Sequence, residues 1–254
     1  MKVPVLSKSY RLHLSDRYFR FFVRYKYTDL AVATDSFSVE MVDFTYDLLK
    51  EVYEMFEKLK AKSLVFFEAL KPIHIELGFN FAIPTREIIG EMLQASSLAN
   101  VGPMAAVAGA IAQWVGKRFI ERFRVRNIVV ENGGDIYVKT EEKIRIGIFA
   151  NFNSPFNKLA VVLPDGEYGV CTSSGKIGHS LSFGNADAVT VISTNAAIAD
   201  AFATRYGNMV RVSEDLKKVT ILAQEEMGSN FVGIIAILDD KIAVAGKTIR
   251  LEQA

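Results

Sequence analysis

Cysteine occurs once in 254 residues, at Cys171, which excludes an internal disulfide and with it the small stapled scaffold of secreted domains. Charge of one sign is also lacking: 30 Lys and Arg face 29 Asp and Glu, for a net charge of +1. A binder of nucleic acid or of an anionic membrane surface usually carries a large basic excess, so neither partner is expected. The first residues, MKVPVLSKSYRLHLSDRYF, lack an apolar stretch ending in small residues, and they lack a cysteine that could carry a lipid. The chain is therefore expected in the cytoplasm. No stretch rich in Pro, Gly or Ser interrupts it, and no repeat is visible, so one domain over residues 1–254 is expected.

Charge is absent between Glu91 and Lys117, a length that could span a bilayer. That stretch holds Gln94, Ser96, Ser97, Asn100, Pro103 and Gln113, and its middle is Ala and Gly rather than Leu and Ile. A buried, closely packed helix is expected instead. What the chain does have is apolar bulk: half of its residues are hydrophobic, and 18 Phe and 9 Tyr exclude a solvated coil. The mean hydropathy of +0.18 points to apolar surface covered by a second subunit, so a homodimer is expected.

Patterning gives a single α+β domain with an antiparallel sheet. FRFFVRYKY reads as the first strand of a pair over residues 19–34, with a break expected at Thr28-Asp29. Helices are expected at about 39–62, capped by Ser38, at 84–98, from Pro103 to about Phe123, at 196–206 and at 213–227. NIVVENGGDIYVK, KIRIGIFA and LAVVL show β-branched runs with period-two alternation, and FVGIIAIL and KIAVAG form a hairpin about Asp239-Asp240.

Four segments are rich in Gly, Ser, Thr and Asp against this apolar background: VGPMAAVAGAIA at 101–112, ENGGDI at 131–136, GVCTSSGKIGHSLSFGNADAV at 169–189 and ADAFAT at 199–204. Asp200 and Thr204 stand four apart on a helix and share a face. Their hard oxygens suit Mg²⁺, although a carboxylate near a helix N-terminus also has a purely structural reading. Asn132, Gly133, Gly134 and Asp135 read equally as a hairpin turn and as a backbone that a ligand can approach closely. Thr172, Ser173, Ser174 and Gly175 offer hydroxyls and free N–H groups that could cradle an anion. Beside them, His179 can move a proton near neutral pH, and Cys171 is either an activated thiol or a buried small hydrophobe. His13 and His74 are assigned no role.

Taken in order, these four motifs resemble an uncharacterised cytoplasmic branch of the ApbE superfamily, over roughly residues 10–250. The superfamily's named activity is the Mg²⁺-dependent FAD:protein FMN transferase, formerly called a thiamine biosynthesis lipoprotein. The resemblance implies a T-fold-like arrangement of antiparallel sheets flanked by helices, and a cleft that binds FAD. It implies metal held by Asp200, Thr204 and a backbone carbonyl near Ala108. The implied chemistry is attack by an acceptor protein's Thr hydroxyl on the FMN phosphorus, with AMP leaving. The sequence departs from the transferases in three places. The Lys-Gly and following Asp of their glycine-bearing helix become Ala108-Gly109-Ala110-Ile111-Ala112. The paired His and later Asp become Gly178-His179-Ser180-Leu181-Ser182. The lipoprotein cysteine is missing. Each lost charge removes a contact worth about 1.5–3 kcal/mol to a charged ligand. Three functions therefore stay open: a metal-dependent enzyme acting on a flavin nucleotide, as an FMN transferase or an FAD pyrophosphatase; a non-catalytic flavin or nucleotide binder; and a sulfur-handling enzyme using Cys171.

Overall fold

The structure is a computed structural model that describes residues 18–75, 83–150, 154–157, 159–175, 184–246 and 249–253. The described residues open with a hairpin, β1 (Phe19–Tyr25) and β2 (Thr28–Thr34), paired from Phe19 opposite Thr34 to Tyr25 opposite Thr28. The break falls at Lys26-Tyr27 and not at the expected Thr28-Asp29, which belong to β2. Lys26 takes the left-handed conformation, with φ of 49°, that lets a two-residue turn match the twist of its strands. Helices α1 (Val39–Lys60), α2 (Val65–Glu68), α3 (Ile83–Ala99) and α4 (Val107–Phe123) follow. In α1 the buried residues Met41, Leu48, Leu49, Val52, Met55 and Leu59 recur at helical spacing, as the sequence led one to expect. The uncharged stretch bends by 106° between α3 and the 3₁₀ turn Pro103–Ala106 that leads into α4. Among the described residues no single helix is long and apolar enough to cross a membrane.

Then come β3 (Ile128–Asn132), β4 (Asp135–Thr140), β5 (Ile144–Ile148), β6 (Leu159–Leu163), β7 (Gly166–Ser173) and β8 (Ala188–Ser193). The chain closes with α5 (Ala196–Met209), α6 (Glu214–Glu226), β9 (Phe231–Leu238), β10 (Lys241–Gly246) and β11 (Arg250–Gln253). Eight strands form one sheet in the order β1-β2-β3-β4-β7-β8-β9-β10, and β11-β6-β5 form a second, with every pairing antiparallel. The expected α+β architecture of antiparallel sheets and helices is thus the observed one. Strand β7 ends, and strand β8 begins, within the 169–189 segment that the sequence marked only as rich in Gly, Ser, Thr and Asp.

Strand alternation divides the core in two. Ile128, Val130, Tyr137, Cys171, Val189 and Val191 face the helices, while Val129, Ile136, Val138, Val170, Ala188 and Ile192 face the smaller sheet. On the helical side α4 lies against β3 and β4, and α5 against β7 and β8. Two close approaches in this layer meet at Ala196, the first residue of α5. A Cβ at Gly169 of β7 would stand 2.3 Å from the Ala196 Cα, and one at Gly109 of α4 would stand 2.2 Å from the Ala196 carbonyl oxygen. Backbone meets backbone at both contacts, so no rotamer change can make room.

Two glycine replacements separate this packing constraint from a conformational one. Gly133 has φ of 70°, and a Cβ there would meet nothing within 4 Å. Gly133→Ala is expected to cost about 1 kcal/mol of stability, the strain of a left-handed L residue. Gly169→Ala should cost about 3 kcal/mol or more, because α5 must move. Urea unfolding midpoints of the two variants check this, and an equal or reversed order would show that α5 is not seated as described.

Candidate functional site

Alternation along the sheet places Asn132, Asp135 and Cys171 on the helical face, since they share parity with Val130, Tyr137 and Val189 across the paired strands. The turn between β3 and β4 is Gly133-Gly134, with φ of 70° and 115°, so the hairpin reading of ENGGDI is realised. It brings the Asn132 side chain up to the start of α4, where its Nδ2 donates to the Ala108 carbonyl at 3.2 Å. From the other side, Asp200 of α5 reaches the same helix start. The Gly109 N–H donates to Asp200 Oδ2 at 2.9 Å. Helix α5 begins at Asn195, whose Oδ1 accepts from the Ile198 N–H at 3.0 Å, a cap worth about 1 kcal/mol.

Beneath these groups, Asp135 is paired with Cys171 across β4 and β7. Oδ1 of Asp135 is buried without a hydrogen-bond partner. Burial first, and then the nearby Asp200 charge, holds the Asp135 carboxyl well above the usual carboxylate range. Burial likewise pushes Asp200 up to about 7, against the lowering effect of the Gly109 and Ala108 N–H groups. Two buried carboxylates that repel each other share a site that favours a proton or a cation.

The four expected segments therefore meet around the first turn of α4, although the individual residues differ in placement. Ala108 is half-buried and its carbonyl already accepts the Asn132 amide. Thr204 is half-buried one helical turn beyond Asp200. Ser173 lies under α5 at Gly207, where an added Cβ would come within 3.0 Å of its Oγ, and Ser174 and Gly175 continue toward the surface. Thr172 turns the other way. Its Oγ1 bonds to Oγ1 of Thr190 at 2.8 Å, on the face of the sheet that carries Val170 and Ala188, so its hydroxyl points away from Asp200. Only the Thr172 backbone N–H serves the site, by stabilising Asp135. Cys171 is fully buried and its Sγ donates to the Ala196 carbonyl at 3.3 Å. Burial, followed by the Asp135 and Asp200 charges, pushes its thiol well above the ordinary value, opposite to what an activated nucleophile needs. His179 lies outside the described residues. Among the described residues no group of three His, Cys, Asp or Glu is placed to hold a metal.

Sequence reasoning missed Gln113. It is buried on α4, one turn from Gly109, and its Oε1 accepts from the Ala196 N–H at 2.7 Å. Its Nε2 donates to Glu91 of α3 at 2.7 Å, so one amide ties three helices together. Also missed was a cleft of about 700 Å³ that opens beside Ala108 and Asn132, between the β1–β2 turn and α1. Its walls include Tyr53, Phe56, Phe67 and Ile111.

The raised carboxyls make stability depend on pH in a set direction. A group whose folded pKa lies above its unfolded value of about 3.9 contributes stability that is present below that value and lost as pH rises through the folded pKa. For Asp200 the window runs from about 4 to about 7. Relative to Asp200→Asn, the parent is expected to lose about 2.5 kcal/mol between pH 5 and pH 8. Urea melts of both proteins at the two pH values check this, and parallel changes would place Asp200 in a more solvated setting.

The site can now be set against known proteins. A family model described as AbpE bacteria matches residues 11–232. A UPF0280 protein of Archaeoglobus fulgidus is 36% identical over 234 residues, which cover 89% of this chain and 91% of that one. Among solved structures, the flavin transferase ApbE from Vibrio cholerae aligns with a TM-score of 0.56 at 12% identity, over 91% of this chain and 97% of that one. The flavinyl transferase ApbE of Pseudomonas stutzeri, in its apo form, aligns with a TM-score of 0.55 at 15% identity, over 93% and 96%. At such identities the structural likeness concerns the fold. The sequence match carries the membership: the chain belongs to the AbpE bacteria family.

Proposed function

We propose that the chain is a metal-dependent enzyme that binds a flavin nucleotide, FAD or a close relative, and acts on its pyrophosphate. One observation supports this most directly. Asn132 of the β3–β4 hairpin and Asp200 of the distant helix α5 converge on the first turn of α4 beside an open cleft, with Asp135 of the same hairpin close to Asp200. The likeness of the fold to flavin transferases supports the ligand class.

The residues fit a magnesium ion in their chemistry. Asp200, Thr204, the Ala108 carbonyl and Asp135 offer only hard oxygens, and Oδ1 of Asp135 has no partner. A cation would offset the burial that raises both carboxyls and the Asp200 charge that adds to it at Asp135. Bound magnesium would supply charge neutralisation at a pyrophosphate. The chain's own residues do the rest. Asn132 fixes the first turn of α4 through the Ala108 carbonyl. Gly133 and Gly134 face open space, so a ligand can approach their backbone closely. Ser173 and Ser174 lie at the end of β7, where a phosphate could accept from their hydroxyls. An acceptor protein's hydroxyl is the proposed nucleophile for transfer, with water the alternative. The uncharged stretch Ala108–Ala112 is the feature that favours simple binding over transfer.

Calorimetry of FAD binding with and without Mg²⁺, on the parent and on Asp200→Asn, tests the reading. Metal and nucleotide should each raise the affinity for the other about tenfold in the parent and not in the variant. Chromatography of incubated FAD then reads turnover to FMN and AMP. FAD affinity in the parent that ignores Mg²⁺ would sink the metal assignment. Binding without turnover, with and without candidate acceptors, would make the protein a flavin-nucleotide carrier.

A further inference from the structure

Among the described residues the eight-stranded sheet ends in two open edges, β1 and β10. An open edge invites another strand, and it is usually blunted by charge, proline or a bulge. Edge β1 carries Arg20 and Arg24. Edge β10 reads KIAVAG, with one charge at its first residue and no proline. Its register with β9 is unbroken from Lys241 to Gly246. Ala243 and Ala245 face the helices, and Val244, on the other side, is 42% exposed.

Helix α6 runs beside this edge. Leu216, Val219, Thr220 and Ala223 bury one of its faces against β9 and β10. Its start is level with the start of β10, where Lys241 Nζ donates to Ser213 Oγ at 3.0 Å. Its end leads into β9, whose Gly233 pairs with Gly246 at the end of β10. The 13 residues of α6 and the six of β10 each span about 20 Å, so their middles are level. One flank of α6 faces α5, where Glu226 accepts from Arg205 at 2.7 Å and from the Tyr206 hydroxyl at 3.1 Å. At about 100° per residue, Lys217, Ile221 and Gln224 lie on the opposite flank, toward the open edge. Ile221 is 44% exposed at the middle of the helix. Lys217 precedes it by one turn and Glu225 follows it by one turn. Both are exposed, and neither has an ion-pair partner among the described residues.

We infer that β10 and α6 form the interface with a second copy of this chain, joined strand to strand about a two-fold axis through the middle of β10. An axis perpendicular to the sheet keeps both copies of α6 on one face and makes them antiparallel. Neighbouring strands lie about 4.8 Å apart, and α6 sits over the line between β9 and β10. Each helix therefore stands about one strand spacing from the axis. The two helices are then about 10 Å apart, within the range at which helices pack. Ile221 meets Ile221 of the partner subunit on the axis. On either side of it Lys217 faces Glu225 of the partner subunit. A basic, an apolar and an acidic residue in that order match their own reversed copy, which is why a second copy fits this edge better than an unrelated strand.

Sedimentation velocity over a range of concentrations tests the assignment. The parent should be a dimer, and Ile221→Asp, which sets two carboxylates face to face, should be a monomer. Lys217→Glu and Glu225→Lys should each weaken the dimer about tenfold, and the double variant should restore it. All three positions are exposed, and circular dichroism checks that each variant keeps its fold. Phe22→Asp, on the exposed face of β1, should leave the dimer intact. A parent that stays monomeric at its highest soluble concentration would overturn the inference. So would a dimer that survives Ile221→Asp, or a double variant no more dimeric than the single ones. Dissociation in Phe22→Asp alone would overturn it by placing the interface on β1.

Discussion

The backbone of Ala196 is wedged between two glycines, and the positions of the other site groups follow from that contact. Gly109 and Gly169 have no side chains because α5 occupies their space from both sides. The Ala196 peptide is also held at both polar ends, its N–H by Gln113 and its carbonyl by Cys171. One turn further along α5, Asp200 meets the start of α4. The pairs Gly109–Asp200 and Gln113–Ala196 are each one turn apart on both helices, so the two helices are fixed in register as well as in distance. An acid held this way has little freedom to swing into solvent. That rigidity suits a group that must meet a ligand at a set distance.

The carboxylate pair shows where the fold gives up stability. Asp135 and Asp200 are buried together, and each raises the free energy of the other's charge. An apolar pair would pack more favourably by the same logic that governs buried ion pairs. Retaining two acids in an alanine-rich layer is the pattern expected of a site whose charge is balanced by something that binds. Cys171 belongs to this arrangement as a neutral neighbour: burial, and then the two carboxyls close by, keep its thiol protonated.

How much of this was legible in the sequence depends on the kind of signal. Helices with a clear apolar stripe, such as α1, and strands with β-branched runs, such as β3 and β9, followed directly from periodicity. The hairpin at Gly133-Gly134 followed from turn chemistry. Strand β7 was obscured because half of it is Gly, Ser and Thr, which read as loop unless the alternation of Val170, Cys171 and Thr172 is given weight, and β8 because its first residues close the same polar segment. The convergence on α4 was legible as shared composition, but the wedge was not. A lone Gly109, Gly169 or Ala196 carries no pattern, and their contact spans sheet and two helices. Gln113 was hidden for a similar reason, since one amide in an alanine-rich helix looks like a concession to solubility. The direction of Thr172 needed strand parity, which sequence gives only once the strand is recognised.

The small sheet has a consequence for synthesis on the ribosome. Its middle strand β6 has β5, its hairpin neighbour, on one side, and on the other β11, with Arg250 opposite Val162. A nascent chain therefore makes β6 long before its second neighbour exists. At roughly 5–20 residues per second, the wait lasts several seconds or more. Throughout it, LAVVL presents an open edge of β-branched residues, the kind of segment that recruits a stray strand or a chaperone. The last strand to emerge is thus the one that closes the edge. A truncation just before Arg250 would leave the site residues in place on paper and still deliver a chain that aggregates as it is made.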